Sequence, residues 1–177
     1  MISLAYLNIP FGSMVAAATD RGICLFDFRY RTSIDTIMQR VATHLNDTFF
    51  ERRHPLFDIL TAQTDEYFAG KRKIFDLPIV FSGTTFQEQV WRALLQIPYG
   101  ELRTYEQQAQ AIGMEKSVRA VAAANGENGI AIIVPCHRVV GKNGSLTGYS
   151  GGLAAKKKLI ELESRHSGKA VQTELFL

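Results

Sequence analysis

A cysteine, a histidine and an arginine stand side by side at Cys136-His137-Arg138, and together they could do nucleophilic chemistry. A free thiol has a pKa of ~8.5, so a nucleophilic cysteine needs a base that can hold it as thiolate. His137 can take the proton, directly or through one water molecule, and works best with a carboxylate on its other ring nitrogen. Glu163 is the best candidate for that carboxylate. From composition alone, an inert packed cysteine and a Glu163 in a surface salt bridge remain the simpler interpretations.

A glycine-rich segment follows this cysteine. Five glycines fall within residues 141–152, which permits unusual backbone angles and a close approach to a flat ligand. Tyr149 and Ser150 add hydroxyl groups and an aromatic face to the same segment. Because the polar His137 and Arg138 stand beside an apolar run, they need partners or solvent, which indicates a cavity rather than a solid core.

Two elements must position these residues. The apolar, β-branched run 130–134 predicts a short buried strand, which Pro135 ends just before the cysteine. A helix predicted over about 152–164 carries Glu163 near its end. Its apolar residues are expected to anchor it in a core: Leu153, Leu159, Ile160 and Leu162.

The chain between residues 84 and 129 is predicted to be helical. A first helix runs from Thr84 or Thr85 to about Gln96, with Trp91 interpreted as a packing residue. Its apolar stripe consists of Phe86, Val90, Ala93, Leu94 and Ile97. Two shorter helices, about 104–112 and 116–126, flank Gly113 and have the outline of a helix-turn-helix. Helix pairs are common, so this outline alone is weak evidence for DNA binding.

The first third of the chain has a pattern of strands followed by helices. Segments 2–7, 13–18 and 22–28 predict a meander of about three antiparallel strands. Helices follow over about 34–45, capped by Ser33, and over 56–69, ended by Gly70. Cys24 lies in the third strand and is interpreted as a core residue, because no cysteine or histidine cluster with zinc-like spacing is near it.

Composition and charge narrow the class of protein. The chain has 177 residues, enough for one large or two small domains, and no apolar run near the ~20 residues that span a bilayer. No signal-peptide pattern opens the chain and two cysteines suit a reducing compartment, so we expect a cytoplasmic protein. The net charge is +3, and its surplus lies in residues 78–177. This is weak evidence for a phosphate-rich partner, and a solvated surface is the commoner explanation.

The motif around the cysteine resembles the active-site signature of a known family. Residues 134–140 (Val-Pro-Cys-His-Arg-Val-Val) and 148–153 (Gly-Tyr-Ser-Gly-Gly-Leu) are similar to the signature of the O6-alkylguanine-DNA alkyltransferases, also called methylated-DNA–protein-cysteine methyltransferases. The likeness covers residues 84–163 closely and extends weakly to 67–70. Its upstream parts are Phe86-Gln87, Val90-Trp91, residues 97–100, Thr104-Tyr105, residues 119–121 and Asn125 to Asn128.

This resemblance implies a two-domain fold. The first domain would be an α/β, ribonuclease-H-like domain over residues 1–77 with a small antiparallel sheet. The second, over residues 78–177, would be mainly α, with a winged helix-turn-helix that binds DNA and carries the alkyl acceptor. Residues 165–177 have no pattern that we can interpret.

The resemblance also implies a role for each candidate site residue. Cys136 would be the alkyl acceptor, His137 would deprotonate it through a bound water molecule, and Glu163 would orient that histidine. Asn128 would brace the helix-turn-helix against the active-site loop. In the substrate-binding set, Arg119 would fill the space of the extruded nucleotide, and Tyr105 would turn the target phosphate and later donate toward the guanine. Tyr149 and Ser150 would donate near O6. The backbone around Cys136 and Val139 would read the exocyclic amine.

The implied reaction is direct-reversal DNA repair. After base flipping, an alkyl group would move irreversibly from O6-alkylguanine, or from O4-alkylthymine, to the protein's own cysteine, once per chain. The expected partner is double-stranded DNA, bound through its minor groove by a monomer, and we expect no cofactor, no metal and no membrane. Gly129 stands where many relatives have proline, and Ala131 at a wall position that is bulkier in some, so we expect a pocket that accepts groups larger than methyl.

Two alternatives from other classes stay open. A helix-turn-helix regulator without chemistry would bind a defined DNA sequence and show no thiol reactivity toward alkylguanine. A Cys-His hydrolase would turn over esters or amides and would need an oxyanion hole. Family members that sense methyl phosphotriesters have four further zinc-binding cysteines, and non-enzymatic members replace the acceptor with tryptophan. Cys24 and Cys136, the two cysteines here, fit neither pattern.

Overall fold

The computed structural model describes residues 1–168, which form two compact units. The first unit consists of residues 1–84 and 129–133, and the second of residues 85–128 and those from 134 onward. The first unit continues past the predicted boundary at residue 77, because Ile23 exchanges backbone hydrogen bonds with Pro78 and Val80 (both 2.8 Å). The division into domains 1–77 and 78–177 stays a prediction. Residues 169–177, and with them most of the uninterpreted tail, lie outside the described part of the chain.

A four-stranded sheet forms the centre of the first unit. Its strands are β1 (Ile2–Ile9), β2 (Gly12–Thr19), β3 (Gly22–Phe28) and β4 (Phe49–Glu51), in the order β3-β2-β1-β4. The first three strands are antiparallel neighbours, which confirms the predicted meander. β4 runs parallel to β1 and was not predicted, because three residues are too few to show an alternating pattern.

Two helices complete this unit, α1 (Ile34–Leu45) and α2 (Pro55–Phe68). α1 buries Ile37 and Val41 against the sheet residues Ile2, Leu4 and Leu25. Ser33 precedes α1, but its side chain does not cap the helix. Its hydroxyl accepts a hydrogen bond from Arg31 Nε (2.7 Å) instead, so the predicted cap is wrong.

The segment 129–133 belongs to the first unit but does not form the predicted strand. Phe26 donates its N–H to the Gly129 carbonyl (2.9 Å) and accepts one from Ala131 (2.7 Å), which gives an isolated bridge only. Ile132 has a positive φ of 71°, which ends any extended run. All five residues of 130–134 are buried, so the apolar run reflects burial and not strand pairing. An added Cβ at Gly129 would lie 2.9 Å from Ile37 Cγ2, so close packing against α1 requires the glycine.

The second unit is mainly helical. Its helices are α3 (Thr85–Leu94), α4 (Tyr105–Ala111), α5 (Val118–Gly126) and α6 (Gly152–Ser167). Single 3-10 turns occur at Glu115–Ser117 and Cys136–Arg138. Two short strands, β5 (Arg103–Thr104) and β6 (Val139–Val140), pair in parallel. The predicted helices are therefore present, with α3 ending two residues earlier than expected.

The predicted helix-turn-helix corresponds to α4 and α5. A capping box starts α4: the Thr104 hydroxyl accepts the Gln107 N–H (3.1 Å), and the Gln107 side chain accepts the Thr104 N–H (2.8 Å). Gly113, with a φ of 70°, allows the turn between the helices. The buried amides of Gln108 and Asn125 then join α4 to α5 (3.0 Å).

Trp91 and the buried face of α6 define the rest of this core. The indole N–H of Trp91 donates to the Ala124 carbonyl at 2.7 Å, so this residue packs as predicted. Leu153 is 49% exposed, which makes its predicted core position wrong. The buried face of α6 consists of Ala155, Lys156, Leu159, Ile160 and Glu163. No helix within residues 1–168 is both long enough and apolar enough to cross a membrane.

Candidate active site

Cys136 begins the 3-10 turn after Pro135 and is 8% exposed. Asn128 lies just beyond the end of α5, and its amide nitrogen donates to the Val134 carbonyl (2.9 Å) and to Cys136 Sγ (3.3 Å). One side chain thus joins the end of α5 to the cysteine turn. Since this donor stabilises negative charge on sulfur, Asn128 favours the thiolate form of Cys136.

His137, the residue after the cysteine, is fully buried. Its Nε2 lies 2.7 Å from Glu163 Oε1, and its Nδ1 has no hydrogen-bond partner among the described residues. A carboxylate at Nε2 holds the ring proton there, which leaves Nδ1 as the basic nitrogen. Burial lowers the pKa of His137 and outweighs the opposing effect of Glu163. The imidazole is therefore neutral at physiological pH and able to accept a proton.

Glu163 binds more partners than sequence reasoning found. Arg138 contacts both carboxylate oxygens (Nε to Oε2 and Nη2 to Oε1, both 2.9 Å), and the Gly100 N–H donates to Oε2 (2.9 Å). Burial alone raises the pKa of Glu163, but His137 and Arg138 outweigh it and hold that pKa well below its usual range. The carboxylate is thus charged, buried and fixed, as a group that orients an imidazole must be. The sequence signal for Arg138 was its place beside an apolar run.

A tyrosine and a lysine both contact the glycine-rich segment that follows the cysteine. Tyr105 is the first residue of α4, and its hydroxyl lies 3.4 Å from the Thr147 carbonyl. Burial and the nearby Cys136 charge raise the pKa of Tyr105, so its phenol keeps its proton. Lys156 donates to the same carbonyl at 2.8 Å. Sequence reasoning missed Lys156, although a lysine on the apolar face of α6 was a usable signal.

Of the remaining predicted site residues, three lie in the segment that begins at Cys136 and one is exposed on α5. The rings of Tyr149 and His137 meet edge to face with centroids 6.3 Å apart, and the buried Ser150 hydroxyl has no hydrogen-bond partner among the described residues. Val139 is buried in β6, and its N–H donates to the Cys136 carbonyl. Arg119 is different: it is the second residue of α5, it is exposed, and within residues 1–168 it has no ion pair or side-chain hydrogen bond.

This arrangement can hold a thiolate and move its proton. Asn128 contacts the sulfur, and the neutral His137, oriented by Glu163, can act as the base. Among the described residues, no group of three or more His, Cys, Asp or Glu side chains is placed to hold a metal ion.

Two family models match the chain, and they define a class of protein with two domains. Residues 2–81 match the ribonuclease-like domain of 6-O-methylguanine DNA methyltransferase, and residues 85–165 match its DNA-binding domain. A methylated-DNA–protein-cysteine methyltransferase of Methanosarcina acetivorans is 42% identical over 159 residues, which is 90% of this chain and 96% of the relative. One of Mycolicibacterium paratuberculosis is 54% identical over 105 residues, or 59% of this chain and 64% of the relative.

Solved structures agree with these matches. A crystal structure of Mycobacterium tuberculosis O6-methylguanine methyltransferase superposes with a TM-score of 0.79 and 38% identity over 94% of each chain. Mycobacterium tuberculosis OGT in complex with DNA gives a TM-score of 0.79 and 37% identity over 98% of each chain. The chain belongs to the methylated-DNA–protein-cysteine methyltransferase family. The predicted family, fold class and methyltransferase activity are thereby confirmed.

Proposed function

We propose that this protein repairs double-stranded DNA by transferring the alkyl group of O6-alkylguanine, or of O4-alkylthymine, to Cys136 Sγ in one irreversible event. The observation that carries the proposal is the polar arrangement around a buried sulfur. Asn128 donates to Sγ at 3.3 Å, while His137 binds Glu163 at 2.7 Å and keeps Nδ1 available. A cysteine that only packs in a core and is chemically unreactive needs none of these groups.

The proposed chemistry has a simple balance of bonds and protons. His137 Nδ1 accepts the thiol proton through a water molecule, and the thiolate attacks the alkyl carbon. An S–C bond forms, the C–O6 bond breaks, and its electron pair stays on the guanine. The guanine takes up a proton from the Tyr105 hydroxyl. The proton held by His137 then passes through solvent to Tyr105 and restores its phenol. Since a thioether carries no useful leaving group, the chain cannot be regenerated, and one chain repairs one lesion.

Access to the alkyl group requires the base to leave the helix, because a stacked guanine cannot reach a buried sulfur. The exposed Arg119 supports a role in filling the vacated space, since within residues 1–168 it has no ion pair or side-chain hydrogen bond to give up. Ala120 and Ala123 are also exposed on α5 and are small enough to let this helix approach a groove floor. We assign α5 to the minor groove, where sequence readout is slight. All of these residues come from one chain, which supports action as a monomer.

Intact-protein mass spectrometry with a duplex that contains O6-methylguanine tests this proposal. We expect one adduct of about 14 Da per chain, on the peptide that contains Cys136, and no second adduct with excess duplex. Duplex binding without any adduct would leave a lesion-binding or regulatory protein. Repeated turnover of an ester without an adduct would instead identify a Cys-His hydrolase.

A further inference from the structure

Lys156 is the feature of the site that the proposed chemistry leaves unexplained. It lies in the second turn of α6, on the same buried face as Leu159, Ile160 and Glu163, and it is completely inaccessible to solvent. Burying an ammonium group is costly unless a hydrogen bond or an opposite charge compensates it. A lysine in this place therefore requires a reason.

The partners of Lys156 are few and all lie in the active site. Its ammonium donates to the Thr147 carbonyl (2.8 Å) and lies 5.9 Å from the centre of the Tyr105 ring. No carboxylate within residues 1–168 lies at ion-pair distance from it, and Glu163 of the same helix is bound by His137 and Arg138. One carbonyl and one ring face leave most of the buried charge unbalanced.

The charge that can balance Lys156 is the one on the cysteine. Burial lowers the pKa of Lys156 to about 8, and the thiolate of Cys136 opposes that effect. The other titratable groups near it are Tyr105, whose phenol is neutral, and His137, whose pKa Lys156 lowers slightly further. A positive charge at this position thus favours the anionic sulfur and disfavours a protonated imidazole.

We propose that Lys156 is a positioning residue that supplies the counter-charge for the Cys136 thiolate before alkyl transfer. The inference rests on the proposed function, because it assigns this role to the same sulfur. Asn128 supplies a neutral donor to Sγ, whereas Lys156 supplies a full charge, so the two groups contribute separately. When the sulfur becomes a neutral thioether, this interaction is lost.

A purely structural alternative is that Lys156 only anchors the loop at Thr147, which precedes Tyr149 and Ser150. The two roles separate through Lys156→Gln, which keeps an amide donor for the carbonyl but removes the charge. Lys156→Arg keeps the charge. Lys157→Gln is the matched control, because it removes the same charge from the next residue, which is 48% exposed.

The experiment measures the rate at which iodoacetamide alkylates Cys136 as a function of pH, without DNA, by peptide mass spectrometry. We expect Lys156→Gln to move the midpoint of the profile to higher pH and to lower the rate at pH 7 by about tenfold. Lys156→Arg and Lys157→Gln should keep the native midpoint. A native midpoint for a folded Lys156→Gln variant would overturn the proposal, even if that variant loses methyl transfer.

A second measurement tests the proposal even if the Lys156→Gln variant does not fold. In the Cys136→Ala protein, the Lys156 side chain should titrate at lower pH by NMR than in the native protein, because its counter-charge is gone. An unchanged titration would overturn the counter-charge role. Failure of the proposed function is distinguishable, since it appears as a missing methyl adduct in the native protein while iodoacetamide reactivity remains.

Discussion

The surroundings of Cys24 and of Cys136 differ in the groups that line them. Cys24 is 2% exposed in β3 and packs in an apolar cluster with Val15, Leu25 and Ile37. Burial raises its pKa to about 12, so it remains a thiol at any physiological pH. Cys136 is 8% exposed, but the amide of Asn128 donates to its sulfur at 3.3 Å, and Tyr105 and Lys156 are close enough to interact electrostatically with its charge.

The difference teaches that burial controls access to a cysteine, whereas the lining controls its ionisation. Moving a thiol into apolar surroundings disfavours the thiolate, and at Cys24 the opposing effects of a backbone hydrogen bond and of Arg21 are too small to offset this. At Cys136, the polar residues that burial brings together can stabilise the charge and move the proton. Fractional exposure alone does not separate an inert cysteine from a candidate nucleophile.

Replacing each cysteine in turn tests most directly whether only Cys136 is reactive. Cys136→Ala should abolish methyl transfer and keep duplex binding, because it removes the acceptor without changing α5. Cys24→Ala should keep full transfer and lose only about 1 kcal/mol of unfolding free energy. Adduct mass and denaturant unfolding measure both effects, and transfer by the Cys136→Ala protein would refute the acceptor assignment.

Neutralising the Glu163 carboxylate tests whether the polar groups around Cys136 account for its difference from Cys24. Glu163→Gln should slow methyl transfer by about 100-fold, because the amide no longer fixes the tautomer in which His137 Nδ1 is basic. Single-turnover transfer rates on a methylated duplex give the measurement, with Glu161→Gln on the exposed side of α6 as control. Equal rates for the two variants would remove Glu163 from the mechanism.

Removing the exposed arginine of α5 separates delivery of the base from reaction at the sulfur. Arg119→Ala should slow repair of duplex DNA by about tenfold or more, since base extrusion costs a few kcal/mol that an inserted side chain offsets. Attack on free O6-benzylguanine should be almost unchanged, because no base has to be extruded. Comparing the two rates checks this role, and equal losses on both substrates would contradict it.

Acid should remove the stabilising contribution of Glu163 near Cys136 and leave the apolar surroundings of Cys24 unaffected. The pKa of Glu163 is lowered by folding, so its stabilising contribution is fully present above its unfolded pKa of ~4.3 and is lost progressively as pH falls from there through its lower folded pKa. The unfolding free energy of Glu163→Gln should therefore approach that of the native protein in strong acid. A difference between the two that stays constant from pH 7 to pH 3 would show that this carboxylate is not linked to stability.

The smallest expected effect concerns alkyl size. With Gly129 and Ala131 in place of bulkier residues in some relatives, we expect O6-butylguanine to react within about tenfold of O6-methylguanine. Transfer rates on two otherwise identical duplexes test this expectation. A strong preference for methyl would indicate that Gly129 serves only its close packing against Ile37.

Local patterns in the sequence predicted most helices and strands, because hydrophobic periodicity, caps and glycine turns act within a few residues. These patterns failed where a buried loop segment and a paired β-strand have the same amino-acid composition. The run 130–134 has the apolar, β-branched character of a strand, but Ile132 has a positive φ and the segment makes only one bridge. β4 was missed for the opposite reason, since Phe49–Glu51 forms a strand only because β1 lies beside it.

The sequence by itself identified the family, the candidate nucleophile and its adjacent histidine, because these depend on residues that are neighbours in the chain or in a motif of known spacing. Only the tertiary structure decided which groups surround that candidate nucleophile and can influence its charge. Arg138 and Gly100 on Glu163, Asn128 on the sulfur and Lys156 behind the loop come from separate elements of the second unit. Their effect arises from distances of a few ångströms in a buried site, and such distances exist only once the chain has folded.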